Sequence, residues 1–168
     1  RFNRLLPVPS PTGRKAGFLS LRLALVLIFS EGRYTQGKGL SMVDIADLAR
    51  SGYFSVSELA TFRKLNTRLQ GHPTTHEGLE GIRMASGSLG QGLSVAIGAA
   101  QAKKLNKDSN LVYVLTGDGE LQEGQNWEAI MYASAKNVDN LIATVDLNGQ
   151  QIDGSTTDVL NMGNVKAK

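Results

Sequence analysis

The chain has no cysteine. That excludes a disulfide framework and thiolate catalysis, and it fits a reducing compartment, so a cytoplasmic location is the expectation. Histidine is scarce too. His72 and His76 stand four residues apart, but Pro73 and Gly78 argue against the helix that would make them a zinc pair. A long apolar run is also missing. Residues 18–29 (FLSLRLALVLIF) fall short of the roughly 20 residues that a membrane-spanning helix needs. They lack a good small-residue cleavage site and read as a buried helix or strand, not a secretory leader. There is no block of like charge. A net charge of +3 with a pI near 9.3 suits small anions and is too weak to argue for nucleic acid. No G-x-G-x-x-G follows an apolar strand, which weakens a dinucleotide reading, and no internal repeat is visible.

What is present suits a globular domain. There are 168 residues, 41% hydrophobic and 20% charged, enough for one core. Residues 1–17 hold three of the four prolines and read as irregular. Residues 41–50 (SMVDIADLAR) have helical spacing, with Gly52 placed to end the helix. Ser55 and Glu58 have the S-x-x-E spacing of a capping box, with Leu59, Phe62 and Leu65 following at helical intervals. Residues 71–92 are rich in Gly, Ser and Thr and predict loop. Residues 91–105 predict a helix with Leu93, Ala96, Ile97 and Ala100 on its buried face. Then LVYVLT at 111–116 predicts a buried strand, 125–135 a helix, and LIATV at 141–145 a second strand. Strand, helix and strand in about 35 residues make a βαβ unit. The fold class expected is α/β, a parallel sheet with helices on both faces.

The βαβ reading places two short motifs together. Parallel strands present their carboxyl ends on one edge, where ligands of open α/β sheets bind. Gly117-Asp118-Gly119 follows the first strand, and Asp146-Leu147-Asn148-Gly149 follows the second. Magnesium prefers oxygen ligands in an octahedron. Asp118 offers a carboxylate oxygen, Asn148 an amide oxygen, and the loop near Gln150 a carbonyl. Gly117 and Gly119 have no Cβ to keep a diphosphate away from the backbone, and the N–H of Gly119 and the following helix start can donate to phosphate. Each motif alone reads as a turn; the pair at two strand ends points to a metal–diphosphate site.

With GDG followed about thirty residues later by Asn, the sequence resembles the thiamine-diphosphate enzymes. The strings GDGELQEGQNWEA and DNLIATVDLNGQQIDG, with LQGHP at 69–73 and SGSLGQG at 86–92, are similar to transketolase over residues 48–164. Deoxyxylulose-phosphate synthases and dehydrogenase E1 subunits share GDG and Asn but usually lack the LQEG that follows here. The resemblance implies the diphosphate-binding domain of the thiamine diphosphate fold, truncated, over residues 48–168, with residues 1–47 unmatched. It implies the cofactors thiamine diphosphate and Mg²⁺, the ion held by Asp118, Asn148 and the Gln150 carbonyl, and Gly119 against the diphosphate. Gly87 and Leu89 would make backbone contacts to the aminopyrimidine ring, and His72 would face cofactor and sugar. Glu123 and Glu128 match acids at the family's dimer interface, between its two cofactor sites.

The implied activity is transfer of a two-carbon ketol unit between sugar phosphates, and the implied assembly is a homo- or hetero-oligomer. The family also has upstream histidines, in a GH motif and an SKGH motif. Here Gly37-Lys38-Gly39-Leu40 stands instead, and no His precedes His72. The family's pyrimidine-binding domain, which carries the acid that activates the aminopyrimidine, does not appear before Lys168. The chain opens on Arg rather than Met, so it reads as a fragment, a processed product or a split subunit. It is expected to be inactive alone and to need a pyrimidine-binding domain or subunit. The alternative is a non-catalytic remnant that folds and binds cofactor or dimerises without activity.

Overall fold

The computed structural model describes residues 42–72, 74–82, 84, 85 and 87–168. The apolar run at 18–29 and the Gly37–Leu40 departure lie outside them.

Two apolar clusters organise the described chain. The first begins with helix α1 (Met42–Arg50), which buries Ile45, Leu48 and Ala49. The Gly52 N–H donates to the Ala49 carbonyl (3.0 Å) and ends the helix. Phe54, Leu69 and Leu79 complete the cluster, and Tyr53, Leu59, Phe62 and Ile82 pack around it. Between them the sequence expectation needs correction. The Ser55 hydroxyl does accept from a backbone N–H, that of Ser57 (3.3 Å). The helix it opens, however, is a 3-10 turn over Val56–Thr61, and Glu58 does not reach back to close a capping box. Its carboxylate takes both Nε and Nη2 of Arg68, at 2.5 and 2.8 Å. Arg63 then adopts a left-handed φ of 59°, and Leu65 is 90% exposed rather than on a buried helical face. A capping box does form later. Thr74 and Glu77 satisfy each other's neighbouring N–H groups around the 3-10 turn Thr75–Glu77.

The second cluster follows the sequence reading closely. Helix α2 (Gln91–Leu105) buries Leu93, Ala96, Ile97 and Ala100, along with Gly92. Strands β1 (Val112–Gly117) and β2 (Leu141–Asp146) pair in parallel, with Val112 opposite Leu141 and Gly117 opposite Asp146. Helix α3 (Gly124–Ala135) is the crossover between them. Val112 and Val114 share a core with the buried residues of α2 and with Ala129 of α3. Asn140 anchors the start of β2 by donating to the Ala100 carbonyl (2.8 Å). On the other side of the sheet, Ile142 and Thr144 are exposed. The fold is thus α/β, a parallel sheet with helices, and the described residues form no second helical layer over Ile142 and Thr144.

After β2 the chain makes a small antiparallel pair, β3 (Gln150–Gln151) with β4 (Gly154–Ser155), and a short helix α4 (Thr156–Leu160). Gln122 ties α4 back by donating to the carbonyls of Leu160 (2.8 Å) and Thr156 (3.3 Å). Among the described residues no helix is long and apolar enough to cross a membrane.

Candidate functional site

The strand register creates the site's floor. With Gly117 opposite Asp146, the ladder extends one step further, as the Asp118 N–H donates to the Asp146 carbonyl (3.1 Å). Asp118 is only 6% exposed. One of its carboxylate oxygens accepts from the Gly119 N–H (3.0 Å), the other from the Gly149 N–H across the edge (2.8 Å). The loop after β2 therefore curls around the Asp118 carboxylate. Asn148 shapes that loop: its Oδ1 accepts from the Gln150 N–H (2.8 Å), and its Nδ2 donates to the Asp146 carboxylate (3.2 Å).

Gly119 sits at the closest approach of the two loops. A Cβ there would lie 2.6 Å from the Gln151 Cβ, closer than real Cβ atoms come, and 3.1 Å from the Gln150 carbonyl oxygen, a tight contact. The Gln150 carbonyl thus stands beside the GDG turn. Among the described residues no three His, Asp or Glu side chains gather. A cation here would rest on one carboxylate plus amide, carbonyl and ligand oxygens. That donor set is all oxygen and suits magnesium.

A second set of contacts brings in the glycine-rich loop. Glu120, 2% exposed, follows the GDG turn, and its Oε1 accepts from the Gly90 N–H (2.8 Å). Its Oε2 is buried without a partner. Burial pushes the Glu120 carboxyl above the usual range and Glu123 adds to this, while the backbone of Gly90 and Gly117 holds it down. Asn126, wholly buried, donates to the Glu120 carbonyl (2.7 Å). Gln125 donates to the Leu89 carbonyl (3.0 Å). Gly90 has a left-handed φ of 82°, and a Cβ on it would lie 2.6 Å from Gln125 Nε2 and 2.8 Å from Glu123 Cβ. The φ and the close approach both call for glycine.

His72 joins this loop. A side chain at Gly87 (φ 115°) would collide with the His72 ring, so the exposed imidazole lies against Gly87. The structure thus gathers Asp118, Gly119, Asn148 and Gln150 at the strand edge, and His72, Gly87 and Leu89 on the neighbouring loop. Glu123 stands at the N-cap position of α3 without a side-chain capping bond, and its Cβ lies against Gly90. Glu128 is exposed further along α3, and the hydrogen bonds just described do not include it. Glu120, Gln125 and Asn126 were missed by sequence reasoning. The one signal for Glu120 is a carboxylate directly after Gly-Asp-Gly and directly before a buried Leu121.

Known proteins share this arrangement of sequence. The family described as the thiamine diphosphate binding domain of transketolase matches residues 33–168, beginning ahead of residue 48. The chain is 44% identical over 113 residues to an apulose-4-phosphate transketolase subunit of Actinobacillus succinogenes, covering 67% of this chain and 41% of that protein. It is 45% identical over 101 residues to human transketolase, covering 60% of this chain and 16% of that one. Among solved structures it resembles the transketolase of Campylobacter jejuni, with a TM-score of 0.60 and 35% identity over 70% of this chain and 19% of that chain. The Pichia stipitis transketolase complex with sedoheptulose-7-phosphate gives a TM-score of 0.64 and 31% identity, over 74% of this chain and 20% of that one. The chain spans less than half the length of these relatives.

Proposed function

Because the chain belongs to the family of transketolase thiamine diphosphate-binding domains, we propose that it forms the diphosphate-binding part of an enzyme that moves a two-carbon ketol unit between sugar phosphates. The observation that carries this reading is the Asp118 carboxylate, buried at the parallel strand edge and wrapped by the loop of Asn148 and Gln150. Asp118, Asn148 and the Gln150 carbonyl would hold Mg²⁺. The residues fit: each Asp118 oxygen accepts one N–H and keeps a lone pair, and Gly119 leaves the turn without a side chain. Gly119 would face the diphosphate, Gly87 and Leu89 the aminopyrimidine, and Glu123 and Glu128 the neighbouring cofactor site across a subunit interface. Thiamine diphosphate, when bound, supplies the electron sink for carbon–carbon cleavage. His72, exposed beside Gly87, would donate a hydrogen bond from its ring N–H to the sugar.

Three of the similar proteins are named as subunits, two of apulose-4-phosphate transketolases and one of the 6-deoxy-6-sulfo-D-fructose transketolase of a Clostridium. This supports a partner subunit or domain that completes the site with a pyrimidine-side acid. The isolated chain is therefore expected to show no ketol transfer in a coupled assay with ketose phosphate, aldose phosphate, saturating Mg²⁺ and cofactor. Robust turnover by the chain alone would overturn the need for a partner subunit or domain.

A further inference from the structure

The chemistry above assigns no task to Glu120 or Gln125, yet both reach out of the segment after the GDG turn to the glycine loop thirty or more residues upstream. The Glu120 carboxylate takes the Gly90 N–H (2.8 Å), and the Gln125 amide gives a hydrogen bond to the Leu89 carbonyl (3.0 Å). Asn126 fixes the Glu120 backbone from within the same segment. These bonds connect the loop bearing Gly87 and Leu89 to the turn bearing Asp118 and Gly119. The Glu120 carboxylate is buried, and the backbone of Gly90 and of Gly117 holds it in place.

We propose that Glu120 and Gln125 are positioning residues, which lock the Gly87–Gly90 loop onto the GDG turn so that the ring-facing and diphosphate-facing segments hold one spacing. This rests on the reading of Gly87 and Leu89 as ring contacts. A ligand that spans both segments feels the lock; a ligand that touches only the GDG side does not.

The test compares two ligands on the full chain: thiamine diphosphate with Mg²⁺, and inorganic diphosphate with Mg²⁺. Glu120→Ala and Gln125→Ala are each expected to weaken thiamine diphosphate about tenfold and to leave inorganic diphosphate within about twofold. Glu120→Gln keeps the acceptor oxygen for Gly90 and should restore binding to within about twofold of the parent. Amide hydrogen exchange at Gly90 should quicken in Glu120→Ala and not in Glu120→Gln. Equal loss of both ligands, or Gly90 exchange unchanged in Glu120→Ala, overturns the proposal. Should Glu120→Ala fail to fold, Gln125→Ala carries the ligand comparison. Should the parent chain bind neither ligand, the proposed function fails, and Gly90 exchange alone decides the lock.

Discussion

Around Ile45 and Leu69 the backbone is largely 3-10 turn and loop, and side chains hold it in place. The Glu58–Arg68 ion pair, the Thr74–Glu77 capping box and the stacking of Arg68 over Phe54 (5.9 Å) do the pinning. Around Ile97 and Val112 the backbone is helix and strand, and its polar groups are satisfied by the helical turns and the β1–β2 ladder. The first region has its own apolar cluster around Ile45 and Leu69 but ties its loops with half-exposed charged groups, which water and salt screen. The second relies on buried apolar contacts and backbone bonds. Local opening should therefore start in residues 53–82 and leave β1 and β2 paired. The contrast bears on the candidate site, because His72 comes from the first region and Asp118 from the second.

The largest effect on stability tests that contrast directly. Ile97→Ala removes a buried side chain beside β1 and should cost about 2–5 kcal/mol, seen as a large fall in Tm with loss of diphosphate binding. Leu69→Ala removes a wholly buried side chain of the other cluster, yet hydrogen exchange should quicken in residues 53–82 while residues 112–116 stay protected. If Leu69→Ala also exposes β1 amides, the two clusters are one cooperative unit.

Asp118→Ala should act on binding and spare the fold. Removing the buried carboxylate that follows β1 should cost about 3–5 kcal/mol of Mg²⁺-dependent cofactor affinity, the scale of losing one partner of a buried charge pair. Titration curves unchanged from the parent would remove Asp118 from the site. Gly119→Ala should cost less, about 1–3 kcal/mol, because its Cβ must push Gln150 and Gln151 aside. Unaltered affinity in this variant would mean that the 148–151 loop moves freely.

The smallest effect belongs to the ion pair. Hydrogen bonding to Arg68 holds the Glu58 carboxyl below its usual value of 4.5. A carboxyl lowered by folding stabilises above that value, and the contribution is lost as pH falls through the depressed one. Arg68→Ala should thus lower the denaturant midpoint at pH 7 by the equivalent of under about 1 kcal/mol, since solvent screens this pair, and the parent and variant should converge on acidification. A difference that persists undiminished at low pH would assign the effect to packing over Phe54.

How much of this was legible in the sequence differs between the same two regions. The α2 bounds and its buried face, the βαβ order and the meeting of Asp118 with the Asn148 loop follow from periodicity and strand polarity, which are local signals with a global consequence. Near Ser55 the local signal misleads. The S-x-x-E spacing is present, but Arg68, ten residues on, competes for Glu58, and the left-handed turn at Arg63 takes Leu65 out to solvent. The Glu120–Gly90 bond joins residues 30 apart through tertiary structure, so no spacing rule points to it.

The proposed function has this strand edge bind a diphosphate through a magnesium ion. Isothermal titration of the chain with thiamine diphosphate, with Mg²⁺ and again with the ion chelated, tests it most directly. Saturable binding is expected with Mg²⁺ present, with a loss of at least tenfold in affinity without it. Equal binding in both conditions, or none in either, would contradict it.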